Sequence, residues 1–345
     1  MAKPLIIKAG SETPDPVSGI SYPIPKCLAD LAAHCDIRVT EDEDEETLID
    51  AVKGATVLMI TYGKVSRRVL EAGQPTLKAV IKMGTGIDSI DFEAARSLDV
   101  RVANCPGYAE YAVAECAFLL MINCFKRFKE IDAGMAFDGW VGPAEDNKGF
   151  ELFNKRVGLV GFGHINRRFA RMCQGFGMRV SVFDPYLSED VITAQDAQKF
   201  ESLMQLAAEV DALAICVPLN DETNGLISAK VLDAMKPSAF LINVGRGATV
   251  DEAALVNALR DRSIAGCGLD VFSQEPLTKT DHPMSGLLSM PNAVLFPHLA
   301  AWTSDTWDRL QDEVTAHVLD VIQGRPLTIR SNDPRLAGQS GCRYP

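Results

Sequence analysis

Basic residues are scarce in this chain of 345 residues: 34 lysines and arginines are outnumbered by 46 acidic residues, which leaves a net charge of −12. This excess of acid argues against nucleic acid and an anionic membrane as main partners, although a local basic pocket for a small anion is compatible with it. Long apolar runs are missing too, since the stretch 283–304, which lacks charged residues, is interrupted by one glycine and two prolines. We therefore expect no membrane span.

The chain also lacks paired-cysteine motifs. Its nine cysteines include no C-x-x-C pair, their number is odd, and most lie in apolar stretches such as 212–218. This pattern predicts reduced, buried thiols in a cytoplasmic protein rather than a disulfide framework or a metal site. The first ten residues contain too short an apolar run for a signal peptide, which agrees with a cytoplasmic location.

Short apolar runs alternate with helical patterns along the first hundred residues. Strands are predicted at 5–7, 37–39, 56–60, 79–81 and 100–102, with helices at 25–34, 44–52, 66–72 and 92–98. Strands that alternate with helices are typical of a parallel sheet covered by helices. The acidic run 41–46 fits a solvated first helical turn, where carboxylates favour the helix dipole, and the alternative is an interaction patch.

A second alternating series follows a long predicted helix at 113–134 and a polar, glycine-containing loop at 135–149. The helix is apolar around most of its circumference, so we expect it to be buried between layers or at a subunit contact. The second series predicts six strands, at 156–160, 179–183, 212–217, 240–244, 265–269 and 293–296. Six short parallel strands with intervening helices form a doubly wound nucleotide-binding domain.

A helical pattern returns at 305–323 and ends at Gly324 and Pro326. The second series is thus inserted between the first series and a C-terminal helix. The predicted fold class is α/β, with two Rossmann-like doubly wound parallel-sheet domains and a cleft between them. The predicted domains are a discontinuous substrate domain, 1–104 with 303–345, and an NAD-binding Rossmann domain, 105–302; sites tend to lie at such domain junctions.

The segment Gly161-Phe-Gly163-His-Ile-Asn166 follows a predicted strand and opens a predicted helix. Such a loop brings backbone N–H groups and the positive helix end against a pyrophosphate. The third position of this fingerprint is normally glycine, which permits close packing of the helix on the strand. We expect Asn166 there to push the helix outward and weaken cofactor binding.

Asp184 lies 23 residues after Gly161, at the end of the next predicted strand. A carboxylate in this place accepts hydrogen bonds from the adenosine ribose and repels a 2′-phosphate. No arginine follows it directly to favour NADP. The predicted cofactor is therefore NAD; the alternative is an ordinary glycine-rich turn with a strand-end carboxylate.

Three further segments begin at the ends of predicted strands and carry Arg246, Glu275 and His298. With these motifs in this order, the chain over roughly 50–330 resembles the D-isomer-specific 2-hydroxyacid dehydrogenase family. The resemblance implies these three residues as the catalytic set. Arg246 offers a planar charged fork for a substrate carboxylate. His298 can exchange a proton with the substrate oxygen, and Glu275 would fix its tautomer and favour its protonated form.

The resemblance extends the predicted site to further residues. Met83 and Gly84 would offer backbone N–H groups to the substrate carboxylate, while Thr85 lies at the cleft floor and is assigned with the cofactor. The resemblance further implies that Asp270 accepts from the nicotinamide carboxamide. The predicted cofactor-binding set is Gly161, Gly163, His164, Ile165, Asp184, Val217, Pro218, Val244, Gly245, Asp270, Ala300 and Thr85. The family's crossing segment and dimer helix imply a homodimer.

The substrate is the least determined part of the sequence. The strand end at 60–63 lacks the arginine that phosphoglycerate-specific relatives place near a phosphate, although Lys82 is a candidate partner for a second anionic group. Only 22 residues follow Gln323, fewer than a regulatory domain needs. We expect a short-form reductase of small 2-oxo acids such as glyoxylate or hydroxypyruvate, with phosphoglycerate oxidation as the alternative. Two other hypotheses are an NAD-sensing corepressor and a relative weakened by Asn166.

Overall fold

The computed structural model describes residues 3–10 and 26–344, without the side chain of Asp146. The chain forms two compact units. The first unit comprises Met1–Tyr108 and Thr303–Pro345, and the second comprises Ala109–Trp302.

The first unit contains a five-stranded parallel sheet. Its strands and helices, in chain order, are β1 (Leu5–Lys8), α1 (Lys26–Leu31), β2 (Asp36–Val39), α2 (Glu45–Ala51), β3 (Val57–Ile60), α3 (Arg67–Ala72), β4 (Ala79–Lys82), α4 (Phe92–Ser97) and β5 (Arg101–Ala103). The strand order is β2-β1-β3-β4-β5. The five predicted strands are confirmed, as are the four helices, apart from Pro25, which lies outside the described residues.

The second unit contains a seven-stranded parallel sheet. Its elements are α5 (Glu110–Lys126), α6 (Phe128–Asp138), β6 (Arg156–Val160), α7 (His164–Gly175), β7 (Arg179–Phe183), α8 (Glu189–Thr193), β8 (Ala197–Lys199), α9 (Leu203–Glu209), β9 (Ala212–Ile215), α10 (Ala229–Ala234), β10 (Phe240–Asn243), α11 (Glu252–Arg260), β11 (Gly266–Leu269) and β12 (Ala293–Leu295). The order is β12-β11-β10-β9-β6-β7-β8. Apolar cores lie on both faces of this sheet, so it is doubly wound as predicted.

The chain then returns to the first unit with α12 (Ser304–Ile322) and a small sheet of β13 (Leu327–Thr328) and β14 (Cys342–Arg343). Thr303 caps α12 by accepting from the N–H of Thr306, and Leu310, Val314 and Val318 join the apolar core of the first unit. The helix begins one residue before the predicted position because its cap is a threonine.

The predicted single helix at 113–134 is wrong. It is two helices, α5 and α6, separated by Arg127 in the left-handed conformation with φ of 50°. The N–H of Arg127 donates to the carbonyls of Asn123 and Cys124 and ends α5 there. Eight residues of α5 are buried, whereas α6 has no buried residue. The apolar pattern crosses Arg127 without a glycine or proline, so the sequence contained no stop signal.

The predicted number of strands in the second unit is also wrong, because the sheet has a seventh strand, β8, at its edge. Its sequence, Ala-Gln-Lys, is short and polar and carries no strand pattern. Residues 135–149, predicted as a loop, contain the end of α6 and a short helix at Glu145–Asn147.

Two findings concern the environment of the chain. Among the helices of the described residues, none has both the length and the apolar character that crossing a bilayer requires. Seven of the nine cysteines are buried. Burial raises the pKa of the Cys105, Cys124 and Cys173 thiols, so these groups are protonated at neutral pH.

Candidate active site

Three neighbouring strands of the second unit end in the predicted catalytic residues. Arg246 follows β10, Glu275 follows β11 and His298 follows β12, and these strands are adjacent in the sheet. All three strands are parallel, so their carboxyl ends lie at one edge. Ligands of open α/β sheets bind at this edge.

His298 and Glu275 form a direct hydrogen bond. His298 Nδ1 lies 2.7 Å from Glu275 Oε2, and each side chain is about one third exposed. The other carboxylate oxygen, Oε1, accepts from the N–H of Phe272 at 3.0 Å. His298 has φ of 56°, a conformation that costs energy for a residue with a side chain and is maintained here by its surroundings.

The carboxyl group of Glu275 is ionised at neutral pH. Burial by itself would raise its pKa, but the hydrogen bonds from His298 and from the N–H of Phe272 outweigh this effect, so its pKa lies below the ordinary value. The Arg246 charge lowers it further. Because an ionised carboxylate can only accept, His298 Nδ1 carries the hydrogen of this bond and Nε2 is the nitrogen left for chemistry.

Asp270 holds the backbone that carries His298. Its carbonyl accepts from the N–H of His298 at 2.7 Å, and its carboxylate accepts from Leu299 at 2.9 Å and Ala300 at 3.3 Å. Burial raises the pKa of Asp270 to about 6, although the nearby His298 and these two N–H groups oppose the rise. Asp270 therefore positions the 298–300 segment; its predicted contact with the nicotinamide stays a prediction.

The loop of Arg246 is held by a buried amide that the sequence reasoning missed. Asn243 Nδ2 donates to the carbonyl of Arg246 at 2.9 Å, and its Oδ1 accepts from the N–H of Gly245 at 3.0 Å. The hydroxyl of Thr249 donates to the same Arg246 carbonyl at 2.7 Å. A polar side chain at the end of an otherwise apolar strand was the available signal, since buried amides need partners.

Two backbone segments, at Gly247 and at 272–273, are in direct contact beside Arg246. A Cβ atom added at Gly247 would lie 1.9 Å from the carbonyl carbon of Phe272 and 2.1 Å from the nitrogen of Ser273. Only glycine fits between these two loops. The backbone after Arg246 therefore packs directly on the backbone that leads to Glu275.

The predicted cofactor loop lies between β6 and α7. Gly161 has φ of 79°, and an added Cβ there would lie 2.6 Å from the Val217 side chain. Gly163 is the N-cap of α7, and an added Cβ there meets no described atom within 4 Å. The first N–H groups of a helix have no partner within it, so open space beside this helix start fits a pyrophosphate.

Asn166 is accommodated in the packing between β6 and α7, while its expected effect on cofactor binding stays a prediction. Asn166 is buried, and its Nδ2 donates to the carbonyls of Val160 at 3.1 Å and Gly161 at 2.7 Å. The side chain thus fits beneath the loop and ties the start of α7 to the end of β6. Asparagine is accommodated at this position because the two carbonyls accept its N–H groups. The sequence alone does not show that they lie within reach.

Asp184 lies at the carboxyl end of β7, as expected for a ribose ligand. Its Oδ2 accepts from the N–H of Phe162 at 2.9 Å, and its Oδ1 accepts from Tyr186 at 3.0 Å and Leu187 at 3.2 Å. A carboxylate has about four acceptor sites and three are used here, so one site, on Oδ2, can still accept from a ribose hydroxyl group. Together with the open start of α7, the residues present fit NAD.

The remaining predicted cofactor residues of the second unit lie at the same sheet edge. Val217 and Pro218 follow β9, and Val244 and Gly245 follow β10. An added Cβ at Gly245 would lie 3.1 Å from the Val217 carbonyl oxygen, so these two strand ends are in close contact. Ile165 is in the first turn of α7, next to His164, whose exposed ring has Nδ1 3.6 Å from Glu110 Oε1.

Met83, Gly84 and Thr85 belong to the first unit, where they follow β4. The N–H of Met83 donates to the Ile60 carbonyl at 2.8 Å, and that of Gly84 donates to the Lys82 carbonyl at 2.9 Å. Both predicted donors are therefore engaged within the unit, and a carboxylate would have to share them. Thr85 is exposed, and its carbonyl accepts from Asn104 Nδ2 at 2.6 Å. The predicted binding roles of the three residues stay predictions.

The other histidines form contacts of a structural kind. His282 is buried, with Nε2 2.9 Å from the Gln274 carbonyl and Nδ1 accepting from the N–H of Met284. His317 is buried on α12, with Nε2 3.2 Å from the Asn104 carbonyl.

Comparisons with known proteins agree on one family. The family described as D-isomer specific 2-hydroxyacid dehydrogenase, NAD binding domain, matches residues 118–300. A glyoxylate reductase of Thermococcus onnurineus is 33% identical over 303 residues, which cover 85% of this chain and 89% of that protein. The crystal structure of D-lactate dehydrogenase from Aquifex aeolicus, complexed with NAD and lactic acid, is similar with a TM-score of 0.80 at 25% identity, covering 93% of this chain and 96% of that one.

A second relative differs in length. The D-3-phosphoglycerate dehydrogenase of Mycobacterium tuberculosis is 33% identical over 300 residues, which cover 87% of this chain but 55% of that protein. The chain therefore spans about half the length of the phosphoglycerate dehydrogenases that it matches.

Proposed function

Because the chain belongs to the D-isomer specific 2-hydroxyacid dehydrogenase family, we propose that it is an NAD-dependent oxidoreductase that interconverts a D-2-hydroxy acid and its 2-oxo acid. The bound nicotinamide would supply or receive the hydride. The observation that carries the proposal is the 2.7 Å hydrogen bond between His298 Nδ1 and Glu275 Oε2, on strand ends next to that of Arg246.

Each of the three residues has one task in the proposed reaction. His298 Nε2 donates a proton to the substrate oxygen during reduction and takes it back during oxidation. Glu275, ionised and held by the N–H of Phe272, keeps the imidazole in the correct tautomer and stabilises its charged form. Arg246 binds the substrate carboxylate through its planar fork of donors. General acid–base catalysis of this kind is worth about 10²- to 10⁴-fold in rate.

NAD binds, in this proposal, along the carboxyl ends of β6, β7 and β9. The start of α7 receives the pyrophosphate, and Asp184 accepts from the adenosine ribose. Val217, Pro218, Val244 and Gly245 border the cofactor, and Asp270 and Ala300 contact its nicotinamide end. In the first unit, Met83 and Gly84 remain the proposed carboxylate donors and Thr85 a proposed cofactor contact.

The proposed substrates are small 2-oxo acids such as glyoxylate or hydroxypyruvate. The relative named glyoxylate reductase supports this choice, because 89% of its length is covered. Oxidation of 3-phosphoglycerate is the second candidate, since the relatives named phosphoglycerate dehydrogenase are equally identical. A corepressor without turnover is the alternative of another class.

We propose that the protein acts as a homodimer in the cytoplasm. Exposed aromatic side chains cluster in sequence on and after α6, where Phe128, Phe137 and Trp140 are 56%, 90% and 77% exposed. A groove of about 420 Å³ is lined by Leu119, Phe128 and Phe296 beside the edge strand β12. Exposed apolar surface of this kind typically marks a protein contact. The burial of seven of the nine cysteines, with no C-x-x-C pair in the sequence, supports a reducing compartment.

The test is oxidation of NADH with glyoxylate, hydroxypyruvate, pyruvate and bulkier 2-oxo acids. We expect turnover that falls by about 10²- to 10⁴-fold in His298→Ala. His34→Ala, a change of the same type at an exposed histidine of the first unit, is the matched control and should keep full activity. If NADH binds but no acid is reduced by the wild-type protein, the dehydrogenase proposal fails and the corepressor alternative gains support.

A further inference from the structure

The first unit has a ligand position of its own that the chain fills with a side chain. In its strand order, β1 lies between β2 and β3, so the direction of chain winding reverses between β1 and β3. Open α/β sheets bind ligands outside the carboxyl ends of strands at such a reversal. Here the position next to the end of β3 is taken by the carboxylate of Glu43, which comes from the loop between β2 and α2.

Glu43 accepts three consecutive backbone N–H groups. Its Oε1 lies 3.1 Å from the nitrogen of Thr61, and its Oε2 lies 2.6 Å from the nitrogen of Tyr62 and also accepts from Gly63. On the β1 side, an added Cβ at Gly10 would lie 3.1 Å from Glu43 Cγ. Successive N–H groups that face one point form an anion-binding concavity. The loop 61–63 is therefore an anion cradle that already contains an anion.

A cation lies on the other side of the same loop. The buried Lys82 donates from Nζ to the carbonyl of Thr61, and its Nζ lies 5.9 Å from the centroid of the Tyr62 ring. Thr61 thus connects the two charges, with its N–H on Glu43 and its carbonyl on Lys82. The loop 61–63 therefore carries a positive group on its carbonyl side and the Glu43 carboxylate on its N–H side.

The cradle borders the segment proposed to bind the substrate. The hydroxyl of Thr61 lies 4.0 Å from Met83 Sδ, and the N–H of Met83 donates to the carbonyl of Ile60. A 2-oxo acid whose carboxylate is held at Met83 and Gly84 would therefore have the 61–63 loop within reach of its distal group, the end remote from the carboxylate and oxo group.

We propose that Glu43 determines substrate specificity: by filling the 61–63 cradle it selects 2-oxo acids with an uncharged distal group and rejects those with a phosphate, sulfonate or second carboxylate there. The inference rests on the proposed function, since it concerns the substrate of that reaction. Glu43 is a specificity-determining residue here and takes no part in the transfer of hydride or proton.

The test compares hydroxypyruvate with its 3-phosphate ester, which differ only in the distal group. For the wild-type protein, kcat/KM should be higher with hydroxypyruvate. Glu43→Gln keeps an acceptor oxygen but removes the charge, and it should raise the ratio of kcat/KM for the ester to that for hydroxypyruvate by about tenfold. Glu41→Gln, an exposed position on the same loop, carries the same charge change and should leave the ratio within about twofold.

A binding measurement makes the test independent of turnover. Inorganic phosphate should raise the Tm of Glu43→Gln in the millimolar range and leave the Tm of the wild-type protein unchanged. A second substitution, Lys82→Met in the Glu43→Gln background, should abolish both gains. The proposal is overturned if the wild-type protein prefers the phosphate ester, or if the ratio is the same in Glu43→Gln. Absence of turnover on every acid would instead reject the proposed function.

Discussion

Two glutamate–histidine pairs, one from each unit, differ in geometry and in charge. In the second unit, Glu275 Oε2 and His298 Nδ1 are 2.7 Å apart and about one third exposed. In the first unit, Glu313 Oε1 and His317 Nε2 are 3.9 Å apart on α12, and their side chains are 11% and 4% exposed. The first pair follows two strands at a sheet edge, whereas the second lies on one helix, four residues apart.

The two glutamates differ in charge because their surroundings differ. Burial raises the pKa of Glu313 to about 7, and the Arg330 guanidinium opposes this only in part. Burial also lowers the pKa of His317, although its contact with the Asn104 carbonyl acts in the other direction. For Glu275, hydrogen bonds from His298 and Phe272 outweigh burial. The carboxyl of Glu313, deeper in the protein, is driven towards its neutral form, whereas that of Glu275, which has better hydrogen-bond donors, remains ionised.

This difference shows that hydrogen-bond donors, and not burial alone, decide whether a glutamate beside a histidine stays ionised. His317 is instead held against the Asn104 carbonyl, and Asn104 in turn donates to Thr85. The pair in the first unit therefore connects α12 to the β4 and β5 ends, which is a structural task.

The largest expected difference between the two pairs follows from neutralising each glutamate in turn. Glu275→Gln should lower kcat by about 10²-fold, because the imidazolium loses the carboxylate that stabilises it. Glu313→Gln should leave kcat within about twofold, since its side chain is buried within the first unit beside His317 and Arg330 and has no role in the proposed reaction. Steady-state rates over a range of pH check both. Equal losses of kcat in the two variants would mean that the two glutamates do not differ in their roles.

A second prediction concerns how the free energy of unfolding depends on pH. The contributions of Glu313 and Glu275 to this dependence have opposite signs. The pKa of Glu313 rises from an ordinary 4.5 to about 7 on folding, so the folded state binds the proton more tightly. Stability due to this group is present below pH 4.5 and is lost as pH rises towards 7. Glu313→Gln keeps the neutral form and should exceed the wild-type stability at pH 8 by up to about 3 kcal/mol.

Urea unfolding between pH 4.5 and 8 measures this effect. Glu275→Gln is the control, because the lowered pKa of Glu275 means that its ionised form stabilises the fold above its ordinary pKa and loses this effect as pH falls. That variant should show no gain at pH 8. A stability difference for Glu313→Gln that does not change with pH would contradict the assigned protonation.

The smallest expected effect concerns Asn166, a buried side chain beside the proposed cofactor site. Asn166→Ala removes two hydrogen bonds to the carbonyls of Val160 and Gly161. The KM for NADH should rise by about fivefold with kcat little changed, since a typical hydrogen bond contributes about 1 kcal/mol. Asn166→Asp, which has the same shape but no donor, should behave similarly. Tighter binding of NADH by Asn166→Gly would contradict this role.

The sheet strands were predictable because apolar runs between turn residues identify buried parallel strands directly. The ends of α5 and the strand β8 could not be predicted in this way. Arg127 ends α5 through its backbone conformation, which no feature of an arginine side chain signals, and β8 gains its strand geometry only by pairing with β7.

The site was predictable where residues follow strand ends and not where side chains bond to backbone. Asn243 and Asn166 act through carbonyl groups that are near only after folding. The run 41–46 was predicted to be the solvated first turn of a helix, and this is wrong for Glu43. Helix α2 begins only at Glu45, and the side chain of Glu43 binds the backbone of the loop 61–63. Composition identifies an acidic run but does not show which carboxylate turns inward.

The close approach at Gly247 has a consequence for how such a protein can change. The loops that carry Arg246 and Glu275 touch through their main chains, so no side chain between them can be exchanged to alter their spacing. In the proposed reaction, the residue that binds the acid and the residue that supports the proton donor therefore stand on backbone segments in direct contact, and a change in one would displace the other. On this proposal we expect new substrates to be acquired by substitutions in other loops, such as the one that carries Glu43, while the spacing of the reacting groups is kept.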